Sequence, residues 1–269
     1  FPCELTTTLY FPATLKSIRI AGGKIYARSL DDVSYETIIF GKNLEYFVIG
    51  VQPSVCFIFE GTENDWINIS KDFANYAPKF YFTDENNKLY EIETLEIPDG
   101  VETIDSGSFE KITTLKNVII PASIKEVKHA AFYSENIKNV YFKGTMADWA
   151  NIYFEDITST PMYYGQHFFL LDENNEWVEV TELVIPGTVK EIGYQFTSFD
   201  KVTSITIEEG VETIGERAFY NSRLLEEIVI PTSVTSIGHG ALMKCIAIKS
   251  ITIPFVGDSI KTNDAEVKY

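Results

Sequence analysis

A 23-residue unit that keeps returning constrains this chain more than any other feature. One period, counted from Ile205 to Ile228, runs Val202-Thr-Ser-Ile-Thr-Ile207, then Glu-Glu-Gly-Val-Glu-Thr-Ile-Gly215, then Glu-Arg-Ala-Phe-Tyr-Asn221. The cycle restarts at Leu225 as Leu-Glu-Glu-Ile-Val-Ile-Pro231. A unit this short cannot bury its own apolar edge. Stacked on its neighbours it can, so the period implies an elongated array in which isoleucines form shared columns. Each fully buried Ile or Phe then contributes roughly 1.5–3 kcal/mol.

The strand template apolar-x-x-apolar-x-apolar recurs at Ile92–Ile97, Leu115–Ile120, Ile137–Phe142, Val180–Ile185, Val202–Ile207, Leu225–Ile230 and Ile248–Ile253. Pro98, Pro121, Pro186, Pro231 and Pro254 follow five of these directly. Proline has no N–H to give a ladder, so it ends each strand at one place. A second apolar pair follows, as in Ile124/Val127, Val211/Ile214 and Val234/Ile237. Next comes a small residue and an aromatic, as in Ala131-Phe132 and Ala218-Phe219, with Ala241-Leu242 the aliphatic version. The first strands are expected to pair in parallel, the Val-x-x-Ile segments to form a second strand or turn, and the Phe step to close the core.

Ile228-Val-Ile-Pro-Thr-Ser-Val-Thr-Ser-Ile-Gly238 and Val211-Glu-Thr-Ile-Gly-Glu-Arg-Ala-Phe219 give the chain its family resemblance. It resembles the BspA-like bacterial surface leucine-rich repeats over roughly 92–253. The resemblance implies an α/β repeat solenoid: a right-handed, β-rich leucine-rich-repeat array of parallel strands, secreted or surface-attached, with adhesion or host interaction and no catalysis. Two insertions belong to the same pattern. Phe59-Glu-Gly-Thr-Glu-Asn-Asp-Trp-Ile-Asn-Ile69 matches Phe142-Lys-Gly-Thr-Met-Ala-Asp-Trp-Ala-Asn-Ile152. Each continues through Pro78 or Pro161 to an aromatic strand and the turn Asp-Glu-Asn-Asn at 84–87 or 172–175. Thr62 and Thr145, with Asp65 and Asp148 three residues on, predict capped short helices, and the polar tetrapeptides predict hairpins.

The organisation expected is therefore one solenoid over 1–269. It comprises degenerate repeats at 1–58, an insertion at 59–91, repeats at 92–142, an insertion at 143–179, repeats at 180–253 and a tail at 254–269. In the degenerate part Leu15–Ile20, Tyr35–Phe40 and the Leu44/Phe47/Ile49 set still fit strands, with Gly22-Gly23 where proline usually stands. Since the chain starts at Phe1 with no basic-then-apolar leader, it is expected to be a mature piece or a fragment, with signal and anchor lying elsewhere.

The residues offer little for chemistry. The net charge of −17 disfavours nucleic acid and anionic bilayers as partners. No apolar run approaches the roughly 20 residues needed to cross a bilayer. Cys3, Cys56 and Cys245 are too few and too odd for a disulfide framework, and are expected to be structural or free. His129, His167 and His239 lack metal-ligand spacing, and no phosphate loop or nucleophile elbow is present. Ser106 and His129 fall in successive units without an evident orienting acid. The Asp-Glu-Asn-Asn turns lack the alternation of a calcium loop. No enzyme, cofactor or metal is expected. Trp66 and Trp149 share a helix face with Ile69 and Ile152, which favours packing anchors over sugar-stacking platforms.

Binding is the function left. Strand residues alternate faces, so stacking makes two outward columns. One is Thr94, Asn117, Asn139, Glu182, Ser204, Glu227 and Ser250; the other is Glu96, Ile119, Tyr141, Val184, Thr206, Val229 and Thr252. The second is apolar in its middle, which marks either strand propensity or an interface. The candidate partner-binding residues are Ile119, Tyr141, Val184, Thr206, Val229, Asn117, Asn139 and Glu182. The aromatic run Met162-Tyr163-Tyr164 and His167-Phe168-Phe169 is placed to extend the patch. The expected partner is a protein met outside the cell. A glycan, or a stalk role with no partner, is the alternative.

Overall fold

The structure, a computed structural model, describes residues 8–11, 17–21, 24–25, 37–43, 46–49, 56–67, 70–73 and 79–254. The chain is a β-solenoid of stacked parallel turns with little helix. On its first flank, Thr94–Glu96, Asn117–Ile120, Asn139–Phe142 and His167–Leu171 pair in parallel, and Trp177–Glu179 closes the sheet antiparallel. Glu182–Ile185, Ser204–Ile207, Glu227–Val229 and Ser250–Thr252 make the next parallel sheet. An earlier sheet runs Thr8–Phe11, Thr37–Gly41, Cys56–Glu60 and Lys79–Thr83, closed by the antiparallel Leu89–Tyr90. The second flank carries short companions: Thr103–Ile104 with Glu126–Val127 and Tyr153–Phe154, then Glu191–Ile192 with Thr213–Ile214 and Ser236–Ile237.

The period-two pattern explains the burial. Asn117–Ile120 and Asn139–Phe142 alternate half-buried and buried; Val118 and Val140 are fully covered in register in one sheet, and Ile205 and Ile228 in the next. After each proline the chain turns back within three residues: Pro98, Pro121, Pro186 and Pro231 carbonyls accept from the N–H of Val101, Ile124, Val189 and Val234. Phe109 and Phe132 stack at 5.8 Å on the far side, and one apolar cluster joins Ile38 to Ala241. Coils approach closely at Gly210, whose φ of +117° suits glycine and whose added Cβ would stand 2.4 Å from the Gly187 carbonyl oxygen. Serines tie successive coils together. Ser123 Oγ donates to the Val101 carbonyl at 2.8 Å and accepts from Gly100 N–H, and Ser233 does the same with Val211 and Gly210.

The helical part of the expected α/β array is small. Among the described residues it amounts to Glu63–Ile67, Met146–Ala150 and two 3-10 turns. A unit of 22–23 residues spent on two strands and their turns leaves no run long enough for a longer helix. Both expected helices form with their caps. Thr145 Oγ1 accepts from Asp148 N–H, and Asp148 Oδ2 accepts from Thr145 N–H at 2.8 Å; Thr62 and Asp65 repeat the arrangement. Both hairpins form too. Beyond helix and hairpin, 143–179 supplies Tyr153–Phe154 and His167–Leu171, in register on both flanks.

Near the N-terminus, Tyr46–Ile49 pairs with Ser17–Ala21 on one side and Ser70–Phe73 on the other, on the second flank rather than in the first-strand column. Leu15, Gly22-Gly23, Leu44, Pro78 and the tail beyond Pro254 lie outside the described residues. Cys56 is disulfide-bonded, so a bridge is present that the expectation of structural or free cysteines outside a disulfide framework did not include. Sparse spacing hides a bridge that only the fold can close. Cys245 is free, and burial pushes its thiol up to about 11.

Candidate binding surface

The outward columns exist, but in two blocks. Asn117 pairs in register with Asn139, and Ile119 with Tyr141. The next residues outward are His167 and Phe169, not Glu182 and Val184. Glu182, Val184, Thr206 and Val229 line up in the following sheet, beyond the antiparallel strand Trp177–Glu179. Spacing alone missed this because the turn from Phe142 to His167 is longer than the period, so two strands were counted as adjacent units when two more, His167–Leu171 and Trp177–Glu179, lie between them.

In the first block the expected extension by aromatics takes a definite form. The Phe169 ring stacks on Tyr141 at 4.7 Å and 15°, and Trp177 meets Tyr141 edge-on at 5.1 Å. All three are half-buried, and Ile119 and Leu171 flank them. Trp177 was not anticipated. Its signal was the alternation Trp177-Val-Glu179 directly after a hairpin turn, which puts Trp177 and Glu179 on the same face as Phe169. His167 Nδ1 contacts Glu179 Oε1 at 2.5 Å and fixes the edge of the cluster. Tyr163 and Tyr164 do not join it: they pack with Tyr133 in a separate tyrosine group, and Met162 is buried. Burial and the Tyr133 hydroxyl push the Tyr164 phenol well above its ordinary range.

The polar candidates are partly engaged. Asn139 Nδ2 donates to Asn117 Oδ1 at 2.8 Å, and Asn117 Nδ2 to Thr94 Oγ1 at 2.9 Å. This ladder leaves fewer amide groups for a partner. In the second block Val184 is 52% and Val229 38% exposed, with Thr206 and Glu182 open to solvent beside them.

The other singled-out residues have structural partners. Trp66 and Trp149 are fully buried, and their indole N–H groups donate to the Ser108 and Gln195 carbonyls at 2.8 Å. They are packing anchors. Asp84 and Asp172 carboxylates accept turn N–H groups from Asn86 and Lys88, and from Asn174 and Glu176. Turn chemistry therefore uses these oxygens. His129 is held by Asp156 and not by Ser106. That contact holds the imidazole above its ordinary value. The Asp156 carboxyl is pushed up by burial, but hydrogen bonds from Thr158 and His129 outweigh that and hold it low. No group of three or more potential metal ligands occurs among the described residues, nor is any helix there long and apolar enough to cross a membrane.

Among solved structures the chain is similar to a leucine-rich repeat protein from Eubacterium ventriosum, at 20% identity and a TM-score of 0.48. That match covers 91% of this chain and 59% of the other, so the chain spans little more than half of that relative's length. The pneumococcal vaccine antigen PcpA matches at 13% identity and a TM-score of 0.48, covering 92% of this chain and 60% of PcpA. A leucine-rich cell surface protein from Faecalibacterium prausnitzii matches at 14% identity and a TM-score of 0.34, over 97% of this chain and 92% of that one. Comparison with curated proteins found no match. The sequence model described as "BspA type Leucine rich repeat region" matches in 6 copies, over residues 57–162 and 174–264. With more than half of its length matched, the chain belongs to the BspA-type leucine-rich repeat family.

Proposed function

We propose that this chain is a non-catalytic binding module of the adhesion kind, secreted or held at a bacterial surface, that recognises a protein through the outer face of its parallel strands. The observation that carries the reading is the Tyr141–Phe169–Trp177 cluster, half-exposed on a rigid ladder beside Ile119. Tyr, Trp and Phe dominate the cores of protein interfaces because each offers large apolar area at low entropic cost. Val184, Thr206 and Val229 extend the surface on the next sheet, with Asn117, Asn139 and Glu182 as its polar border. The disulfide at Cys56 supports an oxidising, extracellular setting.

The test is capture of host-surface proteins by the intact chain against Tyr141→Lys and Val184→Lys, both of which leave the buried columns alone. Loss of capture with unchanged circular dichroism supports the reading; undiminished capture by both variants refutes it. A second reading has one specific observation in its favour. Trp177 sits on the outer face where a sugar ring could stack. Glycan-array signal abolished by Trp177→Ala, with protein capture absent, would favour carbohydrate binding instead.

A further inference from the structure

The second flank of the solenoid lacks a strand. Tyr153–Phe154 ends one of its sheets and Glu191–Ile192 begins the next. Between them the chain runs along the first flank three times, as His167–Leu171, Trp177–Glu179 and Glu182–Ile185, and lays down no second-flank strand. Glu191–Ile192 therefore keeps an open edge with Glu191 exposed, whereas Phe154 is buried and the Tyr194–Phe196 turn packs against its strand.

The pairing shows which groups that edge presents. Along a parallel strand, alternate residues bond to alternate neighbours. Tyr153 N–H donates to the Lys125 carbonyl at 2.8 Å and Glu155 N–H to the Val127 carbonyl at 3.0 Å. The peptide groups of Phe154 therefore point away from that sheet. The Lys190 and Ile192 carbonyls accept from Thr213 and Gly215 N–H, so the peptide groups of Glu191 also point away from theirs. Neither Phe154 nor Glu191 finds a main-chain partner on the open side among the described residues. Both line one groove of about 430 Å³. Gln195 braces it: Nε2 donates to the Ile152 carbonyl at 2.8 Å and to the Ala150 carbonyl at 3.1 Å.

Charge narrows the occupant. Glu155 and Glu191 stand exposed on the lining. Lys190, on the same lining, is taken up by the Glu212 carboxylate and the Gly210 carbonyl, each at 3.1 Å. We propose that this groove, apart from the outer strand face, binds an extended peptide bearing lysine or arginine, which pairs through its main chain with the exposed edge at Glu191. An open strand edge is matched by another backbone, because only a backbone offers donors and acceptors at the strand repeat. The carboxylates select basic side chains over acidic ones.

The probe is a fluorescein-labelled, capped hexapeptide of alternating lysine and valine, titrated against the full chain by fluorescence anisotropy. Saturable binding is expected. It should weaken at least about tenfold when alternate peptide amides are N-methylated, and again when glutamate replaces lysine. Hydrogen exchange at the Glu191 amide should slow on binding. Glu191→Lys, an exposed change with no partner to break, should weaken binding about fivefold or more, while Tyr141→Lys on the outer face leaves it unchanged. Equal binding by the N-methylated peptide would overturn the proposal, as would unaltered exchange at the Glu191 amide or no saturation at millimolar peptide. It would also be overturned if that amide were already protected in the free chain and exposed by removing residues 255–269, since the groove would then belong to the chain's own tail.

Discussion

Ile228 and Ile251 occupy the same column on adjacent coils, in direct register, yet Ile228 is fully buried and Ile251 is 45% exposed. Replacing each with alanine removes the same three carbons. At Ile228 the lost transfer free energy is about 0.8 kcal/mol per carbon, some 2.4 kcal/mol, and an incompletely collapsed cavity raises the cost to about 3–4 kcal/mol. At Ile251 close to half of that surface already faces water and the site can relax outward, so about 1 kcal/mol is expected. Urea unfolding followed by far-ultraviolet circular dichroism gives the losses from midpoint shifts at constant slope. Amide exchange on each variant checks that the array still opens as a unit, since long repeat arrays can lose two-state behaviour. A loss under about 1 kcal/mol at Ile228, or equal losses at both positions, would refute the claim that stacking of coils is what buries the spine.

Ile214→Asp places an unpaired carboxylate between Ile192 and Ile237 and should cost several kcal/mol in the same assay; a small loss would mean the position is not enclosed. Ala130 holds a φ of +53° at the step where Gly107 and Gly240 stand in other coils, so Ala130→Gly should stabilise by about 1 kcal/mol, and no gain in thermal midpoint would contradict this. The raised His129 makes its stabilising share complete below the ordinary histidine value and removes it as pH rises through the folded value. The lowered Asp156 makes its share present above the ordinary carboxylate range and removes it as pH falls through its folded value. The pair should therefore help most between about pH 4 and 6.5, and an NMR titration should show the His129 midpoint falling in Asp156→Asn. An unmoved midpoint would show that the contact does not form.

The columns were legible because isoleucine at a fixed period has one economical arrangement, and the same logic read Trp66 and Trp149 as anchors. The capping threonines were legible because a hydroxyl and a carboxylate three residues apart satisfy the same two N–H groups wherever a helix begins. The break between Asn139 and Glu182 was not. A strand's template says which face each residue takes, but not how many strands the intervening turns deliver, so His167 and Phe169 stayed outside the column. Trp177 was missed for a related reason: an antiparallel return strand obeys the same alternation but belongs to no repeat. The left-handed positions Ala130 and Arg217 could have been found by aligning them with Gly107 and Gly240, since glycine at one step in two coils signals a backbone state that the other coils share.

The two return strands have a mechanical meaning. A continuous parallel ladder under tension must shear many bonds together, whereas an antiparallel strand across its end stops the load from passing to the next sheet. The hairpin turns at Asp84 and Asp172 stand 88 residues apart. Pulled from its ends, such a rod would give way in segments of that size, each releasing about 300 Å of chain, and would lengthen in steps under load.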